Sequence, residues 1–222
     1  MLENVIKIWT KYSYVYIEGM YGTLWLSAVT VACATVLGTL LAFVKLSNFK
    51  PGQWLVNIFV EIIRGTPALL QIYFFWIFLP KAVPVELTDT QCIVIALIIN
   101  SSAYVAEIIR AGIQAVDGGQ TEAALSLGLS KRNMMLRVIL PQAIKNILPA
   151  LGNEFITMIK ETSLASVFFI SELTTSYKTV QAATFLAIPS LLISGLIYLT
   201  LTFVLTRLLA LLEKRLKSND RS

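Results

Sequence analysis

Histidine is absent from the 222 residues, and cysteine occurs only twice, at Cys33 and Cys92. The first absence removes the side chain that most often binds a metal or takes up a proton near neutral pH. Two lone cysteines inside apolar runs offer neither a thiolate cluster nor a disulfide framework, so no metal site is expected. Charge is also scarce: Asp, Glu, Lys and Arg make up 14% of the chain against 56% hydrophobic residues, and they cluster between long uncharged runs. One soluble domain has no interior large enough for so much apolar surface, and lipid is the expected solvent. No G-x-x-x-x-G-K-[ST] stretch is present, which excludes ATP phosphates cradled by that loop in this chain. Nor do the apolar runs assemble a nucleophile with a base, so an enzyme has no support. Glu3 and Glu18 mix with Lys7 and Lys11 ahead of the first apolar run, unlike a cleaved secretory signal, and the N-terminus is expected to be retained.

Five stretches are long and apolar enough to span a bilayer: Tyr21 to Leu46, Trp54 to Leu79, Thr90 to Val116, Ala143 to Ile170 and Ala182 to Leu212. The second contains Glu61, Arg64, Gly65 and Pro67, which predicts a break or elbow. With the C-terminus inside, twelve of the eighteen Lys and Arg residues fall in cytoplasmic segments and four outside, leaving Arg64 and Lys160 within spans. The excess of positive charge inside therefore selects an outer N-terminus and an inner C-terminus. The net charge of +5 is read as topology, and nucleic acid is not an expected partner. The fold class is an all-α integral membrane protein. It divides into an amphipathic interfacial segment (1–20), a transmembrane domain (21–214) and a cytoplasmic tail (215–222), with Gly22, Ala34 and Gly38 letting helices approach closely.

Residues 117–142 interrupt the apolar pattern. Glu122 to Leu129 favours a helix after the turn residues Asp117, Gly118 and Gly119; Gly128 ends it, and Ser130 caps a second helix running to Leu140, after which Pro141 starts a new direction. A compact helix, hinge and helix at the membrane face suits a protein partner.

The spacing Glu122-Ala123-Ala124, three residues, Gly128, nine residues, then Val138-Ile139-Leu140-Pro141 resembles the EAA loop of binding-protein-dependent ABC importer permeases, with Val138 where isoleucine is usual. The stretches "EIIRGTPALLQIYF", "SAYVAEIIRAGIQAVDGGQTEAA" and "LGNEFITMIKETSLASV" are similar to the polar amino acid branch of that family. The resemblance covers roughly residues 20–215. It implies a type I ABC importer transmembrane domain in a prokaryotic inner membrane. It also implies a cytoplasmic ATPase dimer gripping Glu122, Ala123, Ala124, Gly128, Leu129, Leu140 and Pro141. ATP and Mg would sit on that ATPase, with no cofactor on this chain. A second permease copy or sibling chain would complete the pathway, and an external binding protein would deliver the amino acid.

On a helical wheel, Asn153, Glu154, Thr157, Lys160 and Glu161 share an arc of about 120°. Leu151, Gly152, Phe155, Ile156 and Ile159 lie opposite. Such a stripe must face water or protein, because a charged side chain at the bilayer centre costs about 2.5–3.5 kcal/mol on insertion scales. Two acids against one base leave surplus negative charge for a cationic cargo. In the related permeases a carboxylate at the Glu154 position resembles the arginine, lysine or histidine branch, and glutamine there the uncharged branch. Asn153, Thr157, Met158 and Glu161 flank it as candidate contacts, although Met158 reads first as core packing and second as a contact for an aliphatic cargo stem. Asn100 and Tyr104, with Ser101 beside them, offer groups from the third span, and Thr66 and Gln71 from the second. Glu107 and Arg110 lie nearer the cytoplasm and read as pairing with neighbours, and Lys160 with Glu161 as members of a network with Glu61, Arg64 or Glu107. The competing functions are a permease for glutamine or another uncharged amino acid and, from a different class, a secondary transporter that needs no ATPase.

Overall fold

The computed structural model describes residues 1–218. Its first 46 residues contain no proline, and they form one 45-residue helix, α1 (Leu2–Leu46). At about 1.5 Å per residue α1 is about 67 Å long, more than twice the ~30 Å of hydrocarbon in a bilayer. No break marks the expected boundary at residue 20. Buried positions recur at three- and four-residue spacing from Tyr16 to Ala42, and Ile8 and Tyr16 cluster with Leu173, Val180 and Ile193. The Tyr16 hydroxyl donates to the Ser190 carbonyl at 3.2 Å, so residues 1–20 share the packing of the helix they extend.

A short turn leads into α2 (Lys50–Gly65) and α3 (Ala68–Ala82), which meet at 112°. The expected elbow thus falls at Thr66-Pro67. Next comes α4 (Asp89–Gln114), opened by a capping box in which the Thr88 hydroxyl accepts from the Gln91 amide at 3.3 Å and the Gln91 side chain from the Thr88 amide at 2.9 Å. Packed against α1, α2, α3 and the later α7, it is buried along most of its length, and its small residues Ala96, Ser101, Ser102, Ala103 and Ala106 allow that crowding.

The 117–142 segment folds as α5 (Gly118–Ser126) and α6 (Lys131–Met134); a π turn (Met135–Ile139) then joins α6 to α7 (Leu140–Glu161). Here the structure corrects two expectations. Gly118 and Gly119 belong to the first turn of α5 instead of preceding it, with Asp117 as the cap. Pro141 starts no new direction either, because the helix continues from Lys131 to Phe168. A proline at 141 has no N–H for the carbonyl four residues back. The wider π turn absorbs this, with the Leu140 amide bonding Met135 and the Gln142 side chain supplying a donor to the Val138 carbonyl at 2.9 Å.

The expected fourth and fifth spans are divided differently as well. After α7 a 3-10 turn (Thr162–Phe168) ends at Phe169 in the left-handed region; α8 (Leu173–Thr184) follows, ends at Phe185 in the same conformation, and gives way to α9 (Ala187–Ser218). Glu172, fully buried, caps α8 by accepting the Thr174 and Thr175 amides at 2.7 and 2.6 Å and the Tyr198 hydroxyl at 2.9 Å. Of the predicted tail, 215–218 continue α9, while 219–222 lie outside the described residues. By length and composition α1, α4, the 131–168 run and α9 can each cross a membrane, and the bent α2–α3 pair makes a fifth span if its two arms count as one.

Close approaches hold the bundle at its glycines. A Cβ on Gly22 would fall inside the radius of the Ser171 carbonyl oxygen, whereas one on Gly195 would meet nothing within 4 Å. Gly22→Ala is expected to lower the thermal midpoint of the detergent-purified protein, by about 1–3 kcal/mol of overpacking. Gly195→Ala, in an open helix interior, is expected to raise it slightly, by about 0.5–1 kcal/mol. Equal behaviour of the two variants in a melting series would contradict the packing described.

Candidate functional site

Two neighbouring residues of α4 face different partners. Ser101, fully buried, donates its hydroxyl to Glu154 of α7 at 2.7 Å. Glu154 is half-buried and has no cation within ion-pair distance among the described residues. From there the α7 surface turns outward: Asn146, Asn153 and Lys160 are exposed at seven-residue intervals, with Thr157 and Glu161 half-buried beside them. Asn146 and Asn153 open on a groove of about 380 Å³ shared with Thr206 and Glu213 of α9. Met158 does not join this surface. It lies about 40° further round the helix from Glu154 at 100° per residue, on the core side, fully buried in a cluster with Leu26, Ile72 and Leu97.

Asn100, the other α4 residue, faces the elbow. Its side-chain amide donates to Gln71 Oε1 at 2.9 Å, and Gln71 Nε2 donates to the Ile63 carbonyl at 2.7 Å and to the carbonyl and hydroxyl of Thr66 at 3.1 and 2.7 Å. Thr66, Gln71 and Asn100 are therefore brought together as expected, but as one another's hydrogen-bond partners, with Gln71 and Asn100 both buried. The cause is legible in hindsight. Pro67 cannot donate to the carbonyl of Ile63 four residues earlier, and Gln71 supplies the missing donor.

One turn further along the same face of α4, Tyr104 lies under the Arg64 guanidinium, 5.4 Å from its ring centre. Glu107 then pairs with Arg110 at 2.7 Å, with Arg64 at 3.9 Å, and with Lys45 of α1. Glu107 and Arg110, expected to pair with neighbours, pair with each other, with Arg64 in the network as well. Lys45 was not anticipated; the cation at the end of one long helix and the acid near the end of another gave a signal only through their shared side of the membrane. Among the described residues, Glu61, Lys160 and Glu161 take part in no ion pair, so the wider network expected around Glu161 does not form.

The 117–142 segment is more regular than its glycines suggest. Asp117 caps α5 through the Gly119 amide at 2.6 Å. Gly128, at φ +79°, closes α5 in a Schellman turn: its amide bonds the Leu125 carbonyl at 3.0 Å, and the Leu129 amide the Ala124 carbonyl at 3.1 Å. Ala124 is buried with Leu129, Met134 and Ile139, so it secures the turn from inside. Glu122 and Ala123 stay exposed, and Leu127 shows 83% of its surface. Leu140 is half-buried and Pro141 exposed at the start of α7.

The chain is similar over nearly its whole length to known transport proteins. It is 40% identical over 204 residues to the arginine transport system permease protein ArtQ of Bacillus subtilis (strain 168), covering 92% of this chain and 93% of that one. Identity is 39% over 216 residues to the probable glutamine ABC transporter permease protein GlnM of the same strain, covering 97% and 99%. With the glutamine transport system permease protein GlnP of Escherichia coli (strain K12) it is 38% over 206 residues, covering 90% and 92%. Among solved structures, an amino acid ABC transporter crystallised with histidines superimposes with a TM-score of 0.89 at 43% identity, over 93% of this chain and 96% of that one. An inward-facing MetNI methionine ABC transporter shares the fold, with a TM-score of 0.76 at 15% identity, over 91% and 96%. The profile of the binding-protein-dependent transport system inner membrane components matches residues 34–218. The chain belongs to that family: it is the multi-pass inner-membrane permease of an amino acid ABC importer, and the ATP that drives it is hydrolysed by a separate subunit.

Proposed function

We propose that the chain carries a basic amino acid, with Glu154 as the counter-charge to the cargo's cationic end. The observation that carries this reading is a carboxylate inside the bundle, held by one serine hydroxyl and matched by no cation within ion-pair distance among the described residues. A guanidinium or ammonium group arriving from outside offsets the cost of keeping that charge away from water. Asn153, Thr157 and Glu161 on α7 and Tyr104 on α4 are the remaining cargo contacts, with Lys160 free to meet the cargo's carboxylate. Glutamine is the second reading, supported by the names of two relatives at 39% and 38% identity.

The pathway requires a second permease copy, identical or a sibling chain. Exposed Asn146, Asn153 and Lys160 make a polar stripe on a helix that crosses the membrane, and hydrocarbon cannot solvate it. Two such stripes facing each other across an axis enclose a route that alternates between inner and outer openings. Counting α2–α3 as one of five spans puts the termini on opposite sides, and the Lys and Arg residues of the 117–142 segment and of the C-terminal end favour an outer N-terminus, where a binding protein would deliver the cargo. The turn at Leu127-Gly128 and the exposed side of α5 dock on the cytoplasmic ATPase dimer, which binds the ATP and Mg.

In proteoliposomes holding the permease with its ATPase and binding protein, Glu154→Gln is expected to cut arginine uptake at least tenfold, about 1.4 kcal/mol of lost cargo binding, and to leave glutamine uptake comparatively favoured. An unchanged arginine KM would remove Glu154 from the cargo site. At the docking turn, Gly128→Val puts a β-branched residue in the left-handed region at a cost of about 1–2 kcal/mol, while Gly128→Asn tolerates it. The valine variant is expected to lose the ATPase on co-purification and the asparagine variant to keep it; equal retention by both would show that the turn does not set the contact.

A further inference from the structure

The structure assigns Gln71 and Asn100 a role as a clasp: they are positioning residues that hold the α2–α3 elbow against α4 and thereby set the register of the cargo carboxylate Glu154. Three observations meet here. The elbow is a 112° bend whose backbone lacks one donor, because Pro67 has no N–H for the Ile63 carbonyl. Gln71 replaces that donor at 2.7 Å and also serves both oxygens of Thr66, while the Thr66 hydroxyl donates to the Ile62 carbonyl at 2.8 Å. Its remaining polar atom, Oε1, is taken by Asn100 at 2.9 Å, so the group that completes the elbow is also the group that ties it to α4.

Asn100 is followed at once by Ser101, whose hydroxyl holds Glu154 at 2.7 Å. One peptide unit therefore links the elbow to the carboxylate, and any change of angle between α2 and α3 that pulls on Asn100 displaces Ser101. The link is stiff because Asn100, Ser101, Ser102 and Ala103 are all buried, with Ala103 packed on Val60 and Ile63 of α2. Arg64, over Tyr104 and beside Glu107, fastens the same arm of the elbow one turn nearer the end of α4. In lipid no water replaces these bonds, so cutting the clasp leaves the Ile63 carbonyl and the Asn100 amide without partners.

Through this clasp Gln71 acts on the cargo without touching it. This part of the inference rests on the proposed cargo role of Glu154; the geometry of the elbow does not. Two measurements separate them. In the purified permease, spin labels on Asn57→Cys and Ile77→Cys, both exposed, with exposed Cys33 replaced by alanine, report the distance across the elbow. Gln71→Leu is expected to at least double the width of that distance distribution, and an unchanged distribution overturns the clasp. In the reconstituted complex, Gln71→Leu and Asn100→Ala are each expected to raise the arginine KM about tenfold with a smaller change in maximal rate, and the double variant to be no worse than Gln71→Leu within twofold. KM effects that multiply would mean two independent cargo contacts and would overturn the assignment. If Gln71→Leu does not fold, Asn100→Ala alone cuts the α4 half of the clasp and is read by the same two measurements. If the parent complex takes up no basic amino acid, the cargo proposal fails while the label distances still decide the clasp.

Discussion

Every backbone polar group of a chain in hydrocarbon needs a partner within the protein, and this constraint explains where the side-chain amides stand. Prolines interrupt the helical ladder at several points, and at two of them a glutamine side chain bonds a neighbouring carbonyl. Pro67 orphans the Ile63 carbonyl, and Gln71 reaches back to it; Pro141 forces a π turn, and Gln142 bonds the Val138 carbonyl. The same rule accounts for Glu172, a buried acid whose oxygens satisfy the first amides of α8. None of these side chains is free for other work without a cost to the fold.

Charge follows a related logic with two different solutions. Glu107 is surrounded by Lys45, Arg64 and Arg110, which fixes the ends of α1, α2 and α4 relative to each other. Removing one member of such a partly buried set leaves the others uncompensated, which is why ion clusters at this depth specify geometry more than they add stability. Glu154, by contrast, has a single serine and, among the described residues, no ion-paired cation. A site left electrically incomplete by its own protein is suited to a ligand that completes it.

Much of this was readable from the sequence because lipid imposes long, apolar, uninterrupted helices: α1, α4, α7 and α9 follow from length and composition, and the elbow from Gly65-Thr66-Pro67. The helix and turn at Glu122 to Leu129 follow from the single glycine in the left-handed region. The separate helix α8 was hidden because its polar sequence, from Thr174 to Gln181, reads as a loop between two apolar runs, and the left-handed residues that bound it, Phe169 and Phe185, are not the glycines that usually mark such turns. Continuity through Pro141 was hidden for a similar reason, since a proline reads as a stop unless a π turn intervenes. At the site, residue types were legible and orientation was not. Glu154 and Met158 differ by about 40° on the wheel, yet one meets a serine and the other the core. Gln71 and Asn100 read as cargo groups because the wheel shows polarity and not which polar groups have already bonded one another.

The unbroken helix from Lys131 to Phe168 has a mechanical consequence. It begins in the 117–142 segment and carries Glu154 about 35 Å further along at 1.5 Å per residue. A jointed connection would dissipate a torque as bending, whereas a continuous shaft transmits it as twist. Whatever moves the Lys131 end thus has one continuous helical path, through a single π turn, to Glu154 and its bond to Ser101.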